Sequence, residues 1–82
     1  MPEITRFYGV IIKLFFGDHP PPHFHAMYGE HVGLFNIDTL EMIEGDLPKR
    51  AHKLVTEWAR INQNELKKMW GNQEFYKLPP LE

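Results

Sequence analysis

The hydrophobic period of this chain changes once, near Gly45, and that change divides it into a strand-forming part and a helix-forming part. Before Gly45, apolar residues alternate with polar ones or cluster as β-branched and aromatic runs. After it they recur at helical spacing. A period near 2 fits a pleated strand and a period near 3.6 fits a helix, so neither part can adopt the other's structure and still bury one apolar face.

The first apolar run, Arg6 to Phe16, is rich in aromatic and β-branched residues and reads as one central strand. Tyr8, Val10, Ile12, Leu14 and Phe16 fall on one alternating face. Gly17-Asp18 breaks the strand, and Pro20, Pro21 and Pro22 enforce an extended loop because proline donates no ladder hydrogen bond. Residues 23–28 and 31–37 read as the arms of a hairpin closed by Gly29-Glu30, with glycine in the first central position of a type II′ turn.

A two-residue turn sets the register of that hairpin. Tyr28 falls opposite His31, Met27 opposite Val32, Ala26 opposite Gly33, His25 opposite Leu34, Phe24 opposite Phe35 and His23 opposite Asn36. Phe24, Ala26, Gly33, Phe35 and Ile37 then share one face, and His23, His25, Asn36, Met27, Val32 and Leu34 share the other. A short strand at 41–44 follows the Asp38-Thr39-Leu40 turn.

Gly45-Asp46-Leu47-Pro48 reads as a helix start, with Asp46 as cap and Pro48 in the first turn. Ala51, Leu54, Val55, Trp58 and Ile61 form an apolar stripe that continues through Leu66, Met69 and Trp70. Asn62-Gln63-Asn64 interrupts the stripe, which allows either one helix with a polar turn or two helices with Asn64 capping the second. Heptad-like spacing of Val55, Asn62, Leu66 and Met69 favours one. Gly71-Asn72 reads as its stop. The expected architecture is a single α+β domain over residues 1–82, a small antiparallel sheet of three to four strands in ββββα order packed on one long C-terminal helix. That helix spans about 47–70, and the tail, 72–82, packs on the sheet.

Eighty-two residues are near the lower limit for a self-sufficient core, so oligomerisation is an ordinary remedy. With no cysteine, the chain has no disulfide, thiolate zinc site or thiol nucleophile. A metal would need His, Asp or Glu. A net charge of −2 offers no global attraction for nucleic acid. Lys49, Arg50, Lys53, Arg60, Lys67 and Lys68 are interspersed with Glu57 and Glu65, as on a solvated helix face. Apolar runs are far shorter than the roughly 20 residues of a membrane span, so the expectation is a cytoplasmic protein that does not engage the membrane.

Residues 18–31 hold four of the five histidines. His23 and His25, two apart on a strand, point to the same face and are near enough to chelate one ion, with His19 able to join from the loop. Zinc would accept three such nitrogens and activate a water, with Asp18 or Glu30 as acidic ligand or base. The competing reading is structural: His19 bonds within the proline loop while His23 and His25 bond neighbouring strands or a partner. His31 and His52 read as surface residues, and Trp58 and Trp70, taken alone, as core. A helix on the face of Ala26 and Gly33 would leave the histidine face exposed, covered by the tail or paired. Since Met27, Val32 and Leu34 flank the histidines, exposure would leave an apolar patch, so a homodimer is expected.

Asp18-His19-x-Pro21-Pro22-His23-Phe24-His25-x-x-Tyr28-Gly29-Glu30, then Ile43-x-Gly45-x-Leu47-Pro48, then Trp58 and Glu65-Leu66 through Trp70, resembles the bacterial family called domain of unknown function 4160. The resemblance runs from about Phe7 to Trp70. Members often sit beside a small partner gene in an arrangement similar to toxin–antitoxin pairs, which implies a regulatory or toxin-like role. It directs attention to His19, His23, His25, Tyr28, Glu30 and Trp58. The family pattern commonly has histidine before the Glu-Leu block, where this chain has Asn62. Asn36, opposite His23, completes the candidate surface. Two functions compete: a protein-interaction or regulatory module that binds a small cognate protein from a neighbouring gene, and a metal-dependent hydrolase or ribonuclease using His19, His23 and His25 with a divalent metal such as zinc. Direct nucleic-acid binding through the basic helix residues has the least support.

Overall fold

Tyr8 and Gly9 both take positive φ, +45° and +85°, and turn the first apolar run back on itself. The computed structural model describes residues 3–15, 17 and 19–81, so Phe16 on the expected strand face and Asp18 as an acidic ligand or base lie outside the described residues. The expected strand at 6–16 is in fact two, β1 (Glu3–Phe7) and β2 (Val10–Lys13), paired antiparallel with Phe7 opposite Val10. Two left-handed residues in succession make a type I′ turn, whose usual sequence is Asn-Gly or Asp-Gly. Tyrosine in the first position hides that signal. Tyr8 is therefore exposed in the turn, while Val10, Ile12 and Leu14 are buried as the alternation requires.

The remaining strands are β3 (His23–Tyr28), β4 (His31–Asn36) and β5 (Met42–Gly45), followed by α1 (Lys49–Asn72). All five strands form one antiparallel meander in the order β1-β2-β3-β4-β5. The architecture is α+β as expected, with five strands in place of three or four. The β3–β4 register agrees with the expected one at all six pairs. Gly29 at φ +59° supplies the left-handed residue of the turn.

Phe24, Ala26, Phe35 and Ile37 are fully buried beneath the helix, and the Trp58 ring stands edge-on to Phe24 at 6.0 Å. Gly33 leaves space that Leu47 and Met42 fill, since a Cβ there would lie 3.2 Å from Leu47 Cγ and 2.9 Å from Met42 Sδ. Bulges shape both outer strands. At Ile4 a register shift turns two successive residues, Ile4 and Thr5, inward. At Ile43 a second shift pairs Leu34 with Glu44 and Phe35 with Met42. Gly45, at φ +96°, then brings the chain against the Val32 carbonyl, which accepts from Asp46 N at 3.0 Å.

The helix begins later than expected and without its expected cap. Pro48 is the N-cap residue and no side chain caps it. Asp46 lies too far upstream, with its amide bonded to Val32 and its carboxylate 3.6 Å from His31 Nδ1. The helix is continuous through the polar turn. Asn62 Nδ2 donates to Trp58 O one turn back at 2.9 Å, and Gln63 Nε2 donates to Ile37 O and Asp38 O at 2.8 and 2.9 Å. The Gln63 bonds hold the helix to the β4–β5 turn, and the Asn62 bond stays within the helix, so neither residue breaks it.

Ile61, expected in the apolar stripe, is 70% exposed, because the inward line runs through Ala51, Val55, Trp58, Ala59, Leu66 and Met69. His52 is half-buried against the Phe35 ring at 5.3 Å, not an open surface residue. The helix passes through Gly71-Asn72 and ends at Gln73, which takes the left-handed conformation at φ +56°. Beyond it, the tail returns along the β1 edge. Leu78 N donates to Ile4 O at 3.0 Å, and Pro79 O accepts from Trp58 Nε1 at 2.8 Å.

A methyl group at Gly45 would run into the Val32 carbonyl and force a left-handed alanine. Gly45→Ala is expected to lower stability by about 2 to 4 kcal/mol, read as a lower urea midpoint with an unchanged m value.

Candidate functional site

His23 and His25 occupy the start of β3 on the face away from the helix core, as the alternation places them, but their surroundings differ. His23 is buried and His25 is half-buried. The cover over His23 comes from the far end of α1, where the Trp70 ring lies 5.3 Å from the imidazole. The two imidazoles are 5.3 Å apart, centroid to centroid, and Phe15 stands edge-on to His25 at 4.5 Å. Phe15 reaches this face because it follows Lys13 by two residues, and Lys13 pairs directly with His25. An aromatic and imidazole corner results, built from the end of β2, the start of β3 and the last turns of the helix.

Short bonds hold the corner. His23 Nδ1 lies 2.8 Å from Pro21 O, and a carbonyl can only accept, so Nδ1 carries the proton. In the neutral ring the lone pair then belongs to Nε2. Pro22 O accepts from Ile37 N at 2.9 Å, which extends the ladder across the end of the proline loop. Gln73 Oε1 accepts from Gly17 N at 3.0 Å, while Gln73 Nε2 donates to Trp70 O at 2.8 Å. One glutamine thus joins the β2–β3 loop to the helix end that carries Trp70.

The other candidate residues do not gather there. His19 is exposed in the proline loop at the same end of the sheet. Asn36 is opposite His23 in the register, yet its Oδ1 accepts from Asp38 N at 2.7 Å and Thr39 N at 3.0 Å, which closes the β4–β5 turn. Tyr28 and Glu30 lie at the opposite end of the hairpin, about 16 Å along the strand from His23. Tyr28 packs beside Gly9 on the helix side, and Glu30 is exposed in the turn. Trp58 is fully buried core, and Asn62 is half-buried and bonded to its own helix. Among the described residues, no three His, Asp or Glu side chains are grouped to hold a metal ion, and Asp18 lies outside those residues.

Sequence reading did not place Phe15 and Trp70 in the corner. Phe15 could have been found by extending the Ile11, Lys13 alternation one step further. Trp70 required knowledge of how far the helix reaches across the sheet, which no local pattern carries.

A family model described as a domain of unknown function, DUF4160, matches residues 9–71. The chain belongs to that family. The match begins within the β1–β2 turn and ends within the last turn of α1, so β1 and the tail lie outside it. No curated protein and no solved structure matches the chain. Among the described residues, no helix is long and apolar enough to cross a membrane.

Burial separates the histidines by consequence. His23→Ala removes a buried ring and the partner of a carbonyl, and is expected to cost about 1 to 3 kcal/mol. His19→Ala, at an exposed position, is expected to cost less than His23→Ala. Urea unfolding of the two variants beside the parent protein checks this order.

Proposed function

We propose that this DUF4160 protein is a non-catalytic protein-interaction module of a toxin–antitoxin-like pair, acting in the cytoplasm, with the imidazole and aromatic corner as its docking surface for a small cognate protein. The observation that carries this reading is the construction of the corner. A buried His23 and the Trp70 ring form a fixed floor, while the half-buried His25 and Phe15 leave it partly open to solvent. Aromatic anchors held by packing and ringed by polar groups are the usual centre of a protein interface. The proline loop beside them is held at both ends by hydrogen bonds, so little conformational entropy is lost when it is contacted.

Co-expression with the product of the adjacent small gene and purification through a tag on one partner tests the reading. The expected result is a stable complex, with affinity lowered at least about tenfold by His25→Ala or Phe15→Ala. Clean separation of the two proteins overturns it.

A second reading, a metal-dependent hydrolase or ribonuclease using His19, His23 and His25, requires His19 to swing in from the loop, since the three are not grouped here, and draws support from the Pro21 carbonyl at His23 Nδ1. A fixed Nδ1 proton leaves Nε2 as the unprotonated nitrogen that a metal requires, and such a second partner is common behind metal-bound histidine. Elemental analysis of untagged protein tests it. Stoichiometric zinc that disappears in the His23→Ala, His25→Ala double variant is the result expected, and metal-free protein with unchanged activity in that variant excludes it.

A further inference from the structure

The sheet face that carries His25 continues past the corner toward the Gly29-Glu30 turn, and two cross-strand rows on it are laid out in a particular order. One row runs Lys13, His25, Leu34, Glu44 across β2, β3, β4 and β5. The next runs Arg6, Ile11, Met27, Val32 across β1 to β4. The middle of this face is apolar and half-exposed, with Val32 41% exposed. Its two sides carry opposite charge. Arg6, Lys13 and Lys77 stand against Glu3 on the β1–β2 side, whereas β5 and its flanks carry Glu41, Glu44 and Asp46. The tail's bonds to Ile4 and Trp58 run along the β1 edge and the helix.

We infer that a second copy of this chain packs against this face, sheet on sheet, about a two-fold axis parallel to the strands. Rotation about that axis reverses the order of the strands while preserving their direction. It brings β2 over the partner's β5 and β3 over the partner's β4. Lys13 then meets the partner's Glu44, twice by symmetry, with His25 over the partner's Leu34 and Met27 over the partner's Val32. A face with its positive side at one edge and its negative side at the other is complementary to itself only in this sense of rotation. A two-fold axis across the strands would set Lys13 over Lys13 and Glu44 over Glu44. Sheets packed in this way lie about 10 Å apart with their apolar side chains interdigitated.

The arrangement has a consequence for recognition. Because strand direction is preserved, both His23–Trp70 corners emerge at the same end of the dimer, side by side. A partner protein would meet a paired surface. The dimer does not rest on the proposed docking role of the corner; His25 borders both surfaces, so the dimer is tested at Lys13 and Glu44, which lie outside the corner.

Light scattering of the parent protein across the micromolar range is expected to give the mass of two chains. K13E and E44K, each placing like charges at both symmetric contacts, are each expected to weaken the dimer at least about tenfold. An equimolar mixture of the two variants is expected to recover the dimer. In the mixed pair, the carboxylate introduced at position 13 of one chain meets the ammonium introduced at position 44 of the other, and the second contact keeps the native pairing of Lys13 with Glu44. Recovery on mixing also shows that each variant is folded. Zero-length carbodiimide coupling of the unaltered protein, in a mixture of isotopically labelled and unlabelled chains, is expected to join Lys13 to Glu44 between chains. Within one chain the two residues are three strand spacings, about 14 Å, apart and out of reach. A parent mass of one chain, single variants that dimerise as the parent does, a mixture that stays dissociated, or the absence of the cross-link overturns the arrangement.

Discussion

The register of the β3–β4 hairpin is the constraint from which the remaining structure follows. In a pleated strand a slip of one residue exchanges the two faces. Here that exchange would put His23, His25 and Asn36 under the helix and expose Phe24, Phe35 and Ile37. The Gly29-Glu30 turn blocks it, with Gly29 at φ +59° and six pairs aligned behind it. Once the register is set, Ala26 and Gly33 face α1, Leu47 and Met42 fill the space that Gly33 leaves, and the stacked rings of Phe24 and Phe35, centroids 5.3 Å apart, lie against the helix. The helix position in turn decides where Trp70 arrives, and so which histidine is buried.

What was legible in the sequence was whatever short-range chemistry determines. A glycine in a two-residue turn and a period-2 pattern on either side specify the central hairpin and both of its faces. Residues that act over longer distances were not legible in the same way. Tyr8-Gly9 folds the first run because β1 can pair with β2 and gain the tail beyond it, through the Leu78 to Ile4 bond, not because tyrosine favours a left-handed turn. Ile61 fits the helical stripe by spacing alone, but the helix lies on a sheet of limited width, and a stripe position at the margin is left in solvent. The helix passes Gly71 for a similar reason, since Gln73 gains bonds to Gly17 and Trp70 by ending it there.

The candidate site divides along the same line. Alternation alone places His23 and His25 on one face, so their proximity was readable. The family blocks that also contain Tyr28, Glu30 and Trp58 are spread over the fold, with Trp58 in the core and Glu30 at the far turn. Such a block preserves a hairpin and its packing as much as any surface. The polar residues of the helix belong to the same class. Asn62 and Gln63 read as an interruption, yet each has a carbonyl within reach, and Gln63 ties α1 to the turn that Asn36 closes. A half-buried amide with its bonds made is compatible with a continuous helix.

The tail shows why the two sheet faces differ in what remains available. α1 covers one face, and the tail closes the open side of β1, where Ile4 O would otherwise be a free edge acceptor. Trp58 gives its Nε1 proton to Pro79, so the largest buried ring is satisfied by a segment outside the part matched to the family. The one helix covers one face of the five-stranded sheet, and an antiparallel sheet can leave its other face to solvent or to a second layer. The face of His25, Met27, Val32 and Leu34 is apolar along its middle and charged with opposite sign at its sides, which is the pattern of a surface that meets a counterpart. Burying that middle removes apolar area from water without asking the single helix to do more. In the dimer inferred above, the same packing would fix the outer side of the strand whose first residues form the histidine corner, so that the proposed docking surface and the inferred dimer face share the β3 backbone.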